Sequence, residues 1–347
     1  MGSILFGLAP NIETALVGRV LVGLGAGMVF APTMKILSSW FRVSEFTKMN
    51  AIFLATGGVG ALSAAEPLAL MTGWLGWRTA FDLIGAATLL FGVLLWFLVR
   101  DRPQDFGWPS LAQIDPVYGQ SLAPRQQIGL WEGVRRVLGE KYFWPIACWS
   151  FFSMGTFFSF GGLWAGPYLI NIYGMTRLEA GNMLNMLAVG ILCGSPLLAF
   201  LSEKVFRSRR NVIRLCSAIL VAELILLNIF PTGIPSPILY VMFLIFAICS
   251  LAPGVISITS TKELFPVEIT GTSIGAVNLF PFFGGAVMQL VVGRILDSYP
   301  KAPTGAYPLD AYVTMLWVLL AAAFVAMVCA FLMKETFADY RRHTRNL

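Results

Sequence analysis

Apolar runs of about twenty residues recur along this chain, each with few charges, the length an α-helix needs to cross a hydrocarbon layer about 30 Å thick. In lipid every backbone N–H and C=O must find its partner inside the protein, so runs of this kind fold as membrane-spanning helices. A membrane barrel would instead alternate apolar and polar residues over segments of about ten. The chain is also 57% hydrophobic and only 12% charged over 347 residues, far from the composition of a soluble domain. The expected fold class is all-α, a polytopic membrane protein.

Nine full spans are predicted, at about 12–37, 49–72, 79–99, 143–170, 178–201, 211–230, 237–260, 269–296 and 311–333. Residues 1–10 read as the last turns of a tenth helix, too short to span alone. The polar interval from Arg100 to Lys141 divides the spans into a partial first half at 1–100, a linker at 101–142, a second half at 143–334 and a tail at 335–347. Pro103, Pro109, Pro116 and Pro124 argue against one continuous helix in the linker. Ile128, Trp131, Val134 and Leu138 then recur at helical spacing beside Glu132, Arg135 and Arg136. That pattern predicts a short amphipathic helix on the membrane surface.

The formal net charge of +6 is a matter of topology, because its distribution is one-sided. Arg42, Lys48, the linker, the stretch Lys204 to Arg214, Lys262 and the tail residues Arg341, Arg342 and Arg345 fall on one side. Arg78, Arg177, Arg294 and Lys301 lie towards the other. The positive-inside rule therefore assigns linker and C-terminus to the cytoplasm, with the plasma membrane as the expected location and no nucleic-acid partner.

Enzyme classes are disfavoured. The one histidine, His343, is in the tail, and the five cysteines lie in or beside apolar runs without metal-ligand spacing, packed as small hydrophobes. No Gly-x-x-x-x-Gly-Lys phosphate loop occurs. The expectation is that no cofactor and no metal is needed.

Arg19, followed by Gly23, Gly25 and Gly27, forms an Arg-x-x-x-Gly-x-Gly-x-Gly run that resembles the fourth-helix signature of the major facilitator superfamily of secondary transporters. Gly76-Trp77-Arg78 through Phe81 resembles that family's turn between helices five and six. Leu201-Ser202-Glu203-Lys204 with Arg207, Arg209 and Arg210 resembles its acidic-basic loop between helices eight and nine. Ala199 stands where that loop usually has glycine, and the glycine before the final basic pair is absent. The two halves also echo each other, Phe41, Val43, Glu45 and Gly57-Gly58 being answered by Phe265, Val267, Glu268 and Gly284-Gly285. Phe265-Pro266 with Gly271, and Trp164 through Tyr168, look most like branches that carry organic anions and sugar phosphates.

The resemblance implies a helix bundle of two pseudo-symmetric halves, the spans mapping onto helices four to twelve and the first half incomplete, whether through a misassigned start or because the chain is a fragment. It implies a secondary transporter that moves a small organic solute, anionic by its look, by alternating access with proton coupling. Partners are then the solute, protons and the lipid bilayer. The alternative from another class is a non-transporting membrane sensor or assembly subunit.

The glycines at 23, 25 and 27 are read as helix-packing positions. Arg19 and Glu66 both fall about 10 Å below the outer surface on neighbouring antiparallel spans. They are the candidate coupling pair, because each alone is costly in lipid; a static ion pair is the other reading. Lys35, about 160° round the helix from Arg19, is expected to snorkel to the cytoplasm. Glu223, in mid-span, has a pairing or packing role. On the helices that the family sets around its axis, Phe157, Trp164, Tyr168, Asn182, Asn185, Asn278 and Gln289 are the substrate-cavity candidates. Glu203, Lys204, Arg207, Arg209 and Arg210 are the gating-loop candidates.

Overall fold

The computed structural model describes residues 1–29, 32–33, 36–37, 40–41, 49, 52–53, 56, 60, 66–100, 103–109, 128–266, 269–303 and 305–337. Lys35, the side chain of Glu66, the loop 42–48, Gly57-Gly58 and the tail arginines lie outside these residues, as does most of the expected span 49–72. Among the described residues there is no strand, and seven helices are long and apolar enough to cross a membrane. The chain forms two compact units, Met1–Arg125 and Gln126–Leu347.

The first unit contains α1 (Gly2–Gly7), α2 (Ile12–Gly27), α3 (Glu66–Leu75) and α4 (Trp77–Leu98). Asn11 caps α2, its side-chain oxygen accepting from the Thr14 amide at 2.9 Å. Between α3 and α4 the chain turns at Gly76, whose φ of +78° is one that residues with a Cβ rarely adopt. α1 packs on both α2 and α4, because glycines remove the side chains that would hold the backbones apart. A Cβ on Gly2 would come within 2.7 Å of the Gly18 carbonyl oxygen, and one on Gly85 within 2.5 Å of Ile4 Cγ1.

The second unit contains α5 (Leu130–Gly139) and six long helices: α6 (Phe143–Tyr173), α7 (Arg177–Val205), α8 (Arg209–Ile229), α9 (Ser236–Leu264), α10 (Thr270–Asp297) and α11 (Leu309–Leu332). α6 lies against α10 and α11, α7 against α9, and α8 against α11 and α9. Thr176 starts α7 with a reciprocal capping box to Glu179. The preceding turn closes on Gly174 in the left-handed region, φ +66°.

Several polar groups buried between these helices pair across them. Trp149 donates from Nε1 to Ser217 Oγ at 2.9 Å, Ser150 and Ser257 share a hydrogen bond of 2.9 Å, and Ser153 donates to the Ser250 carbonyl at 3.0 Å. Such bonds draw helices together where lipid provides no hydrophobic drive between them. The five cysteines are free thiols, with Cys216 and Cys249 buried. Cys216 meets Cys249 thiol to thiol across α8 and α9, Cys148 meets Cys329 across α6 and α11, and Cys193 is exposed.

Prolines act unequally. Pro196 and Pro281 sit inside α7 and α10 without interrupting them, whereas α9 breaks between Ser250 and Gly254 at Pro253. Neighbouring helices make such interruptions tolerable in a membrane.

Candidate functional site

α6 is not α-helical throughout. Phe160–Trp164 forms a π turn, a local widening by one residue that rotates the side chains after it and recurs at functional sites. Gly161-Gly162 at its centre leaves the backbone free to take that shape. Trp164, closing the turn, is half-buried, and its Nε1 is shielded with no hydrogen-bond partner. Its ring meets Tyr307 edge-on at 6.0 Å and lies 3.7 Å from where a Cβ on Gly293 would be. Gln289, one turn before Gly293 on α10, donates from Nε2 to the Phe158 carbonyl at 2.9 Å. Ser159 Oγ, adjacent in the chain, is also buried without a partner.

The other cavity candidates separate. Asn278 is exposed, and its spacing of eleven residues from Gln289 puts both on one stripe of α10, within about 20°. Asn182 is exposed and Asn185 half-buried on α7. Phe157 is buried and stacks on Phe246 at 6.1 Å. Tyr168 is fully buried, and its hydroxyl donates to the Pro231 carbonyl at 2.6 Å while its ring meets Tyr312 at 5.5 Å. These two aromatics hold α6 to its neighbours, which leaves Trp164 and Ser159 as the α6 side chains with shielded, unpaired polar atoms in this stretch and Gln289 as the α10 amide bonded to it.

The gating-loop candidates gather at the opposite end of α7 and α8. Arg209, 7% exposed, donates from Nη2 to Glu263 Oε1 at 3.1 Å and from Nη1 to Ser202 Oγ at 3.0 Å. Glu203 stands farther off at 3.5 Å and is itself more than half exposed. Glu335, just past α11, accepts the Arg209 amide at 3.0 Å and the Ser208 hydroxyl, so a carboxylate meets the positive end of α8. Thr336 donates to Glu263 Oε2 at 2.7 Å, and the Arg209 guanidinium lies 5.1 Å from the Phe337 ring centre. The cluster thereby joins α7, α8, α9 and the segment after α11.

Lys204 and Arg207 are exposed, Arg207 with φ +48° at the tight turn, and Arg210 is half-buried with its Nε shielded and unpaired. Sequence reasoning missed Glu263, Glu335 and Ser202. The available signal for Glu263 was a carboxylate next to a basic residue, Lys262, at the end of an apolar span.

In the first unit Arg19 lies over two rings, 4.2 Å from the Phe6 centroid and 5.1 Å from that of Phe81. Its expected partner Glu66 begins α3, and the carboxylate of that residue is outside the described side chains. A second carboxylate, not anticipated, is near: Asp82 on α4 lies against Gly7, and its Oδ1 is shielded with no hydrogen-bond partner.

The expected packing glycines meet no neighbour among the described residues. No described atom lies within 4 Å of a Cβ placed on Gly23, Gly25 or Gly27. The close approach on α2 is made by Gly18, where a Cβ would fall 2.9 Å from the Phe6 amide nitrogen. α1 reaches along α2 as far as Val22, where a Cβ on Gly2 would lie 2.7 Å from the Val22 amide nitrogen, and the later glycines have no neighbour among the described residues. Glu223 on α8 is buried with Oε2 unpaired.

A sequence profile of the Major Facilitator Superfamily matches residues 1–288. The glycerol-3-phosphate transporter of Bacillus subtilis (strain 168) is 25% identical over 287 residues, which are 79% of this chain and 62% of that protein. This chain thus spans less than two thirds of that relative's length. The membrane sensor protein UhpC of Escherichia coli (strain K12) is 22% identical over 306 residues, 86% of this chain and 68% of that one. In structure, a bacterial homologue of the human lysosomal transporter Spinster, inward-facing and unoccupied, superposes with a TM-score of 0.68 at 18% identity, covering 98% of this chain and 80% of that one. The fold agrees with the profile, which runs across both units: the chain belongs to the Major Facilitator Superfamily.

Proposed function

We propose that this chain serves secondary transport of a small, oxygen-rich organic anion, exposed alternately to the two sides of the plasma membrane and coupled to protons. The observation that carries the reading is the Trp164 indole N–H, shielded and without an acceptor where the ring lies against Gly293 of α10. A buried donor left unpaired costs free energy, and a phosphate or carboxylate oxygen of a solute supplies the missing acceptor. Trp164 lies nine residues before the end of α6, about 14 Å into the span by helical rise. Similarity to a glycerol-3-phosphate transporter supports an anionic solute. The basic residues Lys204, Arg207, Arg210 and Arg214 at one end of α7 and α8 support a cytoplasmic location for that end.

A second reading, favoured by the similarity to a membrane sensor protein, is that the chain binds the anion without moving it. One experiment separates the two. The purified protein in proteoliposomes is given labelled glycerol-3-phosphate, glucose 6-phosphate and glucarate, with and without an inward proton gradient. Accumulation supports transport, binding without accumulation supports the sensor, and neither with any of the three removes the anion reading.

Trp164→Phe keeps an aromatic ring, though a smaller one, and deletes the donor. A hydrogen bond to a charged group contributes roughly 1.5–3 kcal/mol, so affinity is expected to fall about 10- to 100-fold, as measured by isothermal titration on the same protein. Glu66→Gln is expected to abolish gradient-driven accumulation while sparing solute exchange. Unaltered pH dependence in that variant would remove Glu66 from the coupling step.

A further inference from the structure

α5 presents three faces. Gly133 and Val137 are buried, and a Cβ on Gly133 would lie 3.2 Å from Thr272 Oγ1, so this face docks on the first turn of α10. At about 100° per residue, Trp131 and Leu138 fall within about 20° of each other on a second face. Both are exposed, Trp131 at 83% and Leu138 at 42%, and Leu130 adds a further apolar side chain at 69%. Trp144, 43% exposed, donates from Nε1 to the Leu138 carbonyl at 3.0 Å and carries the apolar ridge onto α6. Glu132 and Arg136 pair at 2.5 Å on the third face. Arg135, about 40° from Trp131, stands at the edge of the apolar ridge with no carboxylate partner among the described residues.

The level of this ridge is set by its neighbours. α6 begins at Phe143 and α10 at Thr270, while α9 ends at Leu264 and α11 at Leu332. Phe143 meets Phe265 at 6.4 Å, and Lys334 lies over the ring of Tyr142 at 5.4 Å. α5 therefore sits where the apolar spans end, the depth at which tryptophan is enriched in membrane proteins. Positive charge is concentrated there: Lys141 also lies over Tyr142, at 4.9 Å, and Arg135 is close by in the chain.

We propose that α5 is an anionic-phospholipid site, with Trp131 and Leu138 seated at the headgroup–acyl boundary and Arg135, aided by Lys141, holding the lipid phosphate. The helix would thereby anchor the start of the second unit to one leaflet. This reading goes beyond the transport proposal and does not depend on it.

The test uses the full chain in nanodiscs containing either dibrominated phosphatidylglycerol or dibrominated phosphatidylcholine at equal mole fraction. The quenching of Trp131 is obtained as the difference between the native protein and Trp131→Phe, a change at a largely exposed position. A basic side chain near an anionic surface gives roughly fivefold enrichment. Quenching is therefore expected about fivefold more effective with the anionic lipid, and Arg135→Gln is expected to erase that preference while Trp131 remains quenched. Equal quenching by both lipids overturns the anionic assignment. No quenching by either means that protein, a second copy or another part of this chain, covers the ridge, and overturns the proposal as a whole.

Discussion

Arg209→Ala is expected to destabilise the second unit by about 3–5 kcal/mol, the cost of leaving one member of a buried ion pair without the other. The Glu263 side chain is 4% exposed and that of Arg209 9%, so water replaces little of what is lost. The same guanidinium also bonds Ser202, so one truncation removes a link from α8 to both α7 and α9. Glu203→Gln provides the contrast: its contact with Arg209 is 3.5 Å and its side chain is 55% exposed, and such pairs contribute at most about 1 kcal/mol. Replacing Arg209 and Glu263 together by methionine removes both charges and should recover much of the loss. The measurement is thermal unfolding of the detergent-purified protein followed by size-exclusion fluorescence. Equal shifts for Arg209→Ala and Glu203→Gln would show that burial does not set the strength of this cluster.

Gly284→Ala is expected to prevent the second unit from folding to a monodisperse product. A Cβ there would fall on the Phe151 carbonyl oxygen and within 2.9 Å of Phe151 Cα. From the other side, a Cβ on Gly155 would lie 2.8 Å from the Gly284 carbonyl carbon. The obstruction is backbone on both helices, so no rotamer relieves it, and the cost should exceed the roughly 1–3 kcal/mol usual for overpacking. Gly275→Ala, on the same helix with nothing within 4 Å of its Cβ, should be neutral or gain up to about 1 kcal/mol of helix propensity. Purification yield and unfolding temperature of the two variants check the sign. A Gly284→Ala protein as stable as the native one would mean that α6 and α10 are free to separate.

Legibility differs by kind of feature. The expected spans at 143–170, 211–230 and 311–333 appear as Phe143–Tyr173, Arg209–Ile229 and Leu309–Leu332. Their ends agree within a turn because the thickness of the apolar layer imposes the length of each run. The amphipathic helix expected from Ile128 to Leu138 appears as Leu130–Gly139, whereas its docked residues, Gly133 and Val137, were not among those whose spacing predicted it. The echo at Gly284-Gly285 marked a position whose meaning, contact with the backbone of α6, emerges only from the packed helices. Gly23, Gly25 and Gly27 show the converse, a packing motif with no neighbour among the described residues.

The candidate site was legible as a set of residue types and not as an arrangement. Trp164 and Gln289 were both named, yet so was Tyr168, which is sealed against Pro231. The π turn that separates their roles leaves only the trace Gly161-Gly162 in the chain. Arg209 was anticipated with Glu203 six residues away, but its shorter bond is to Glu263, fifty-four residues on.

The amino-acid sequence by itself determined that the chain is all-helical, where most spans begin and end, and which family it resembles, because each of these follows from local hydrophobic periodicity and short motifs. Only the tertiary structure decided which glycines touch, which carboxylate neutralises Arg209, and which aromatic keeps an unpaired donor. Those outcomes depend on the rotation and depth of one helix against another, and no single stretch of chain encodes that relation.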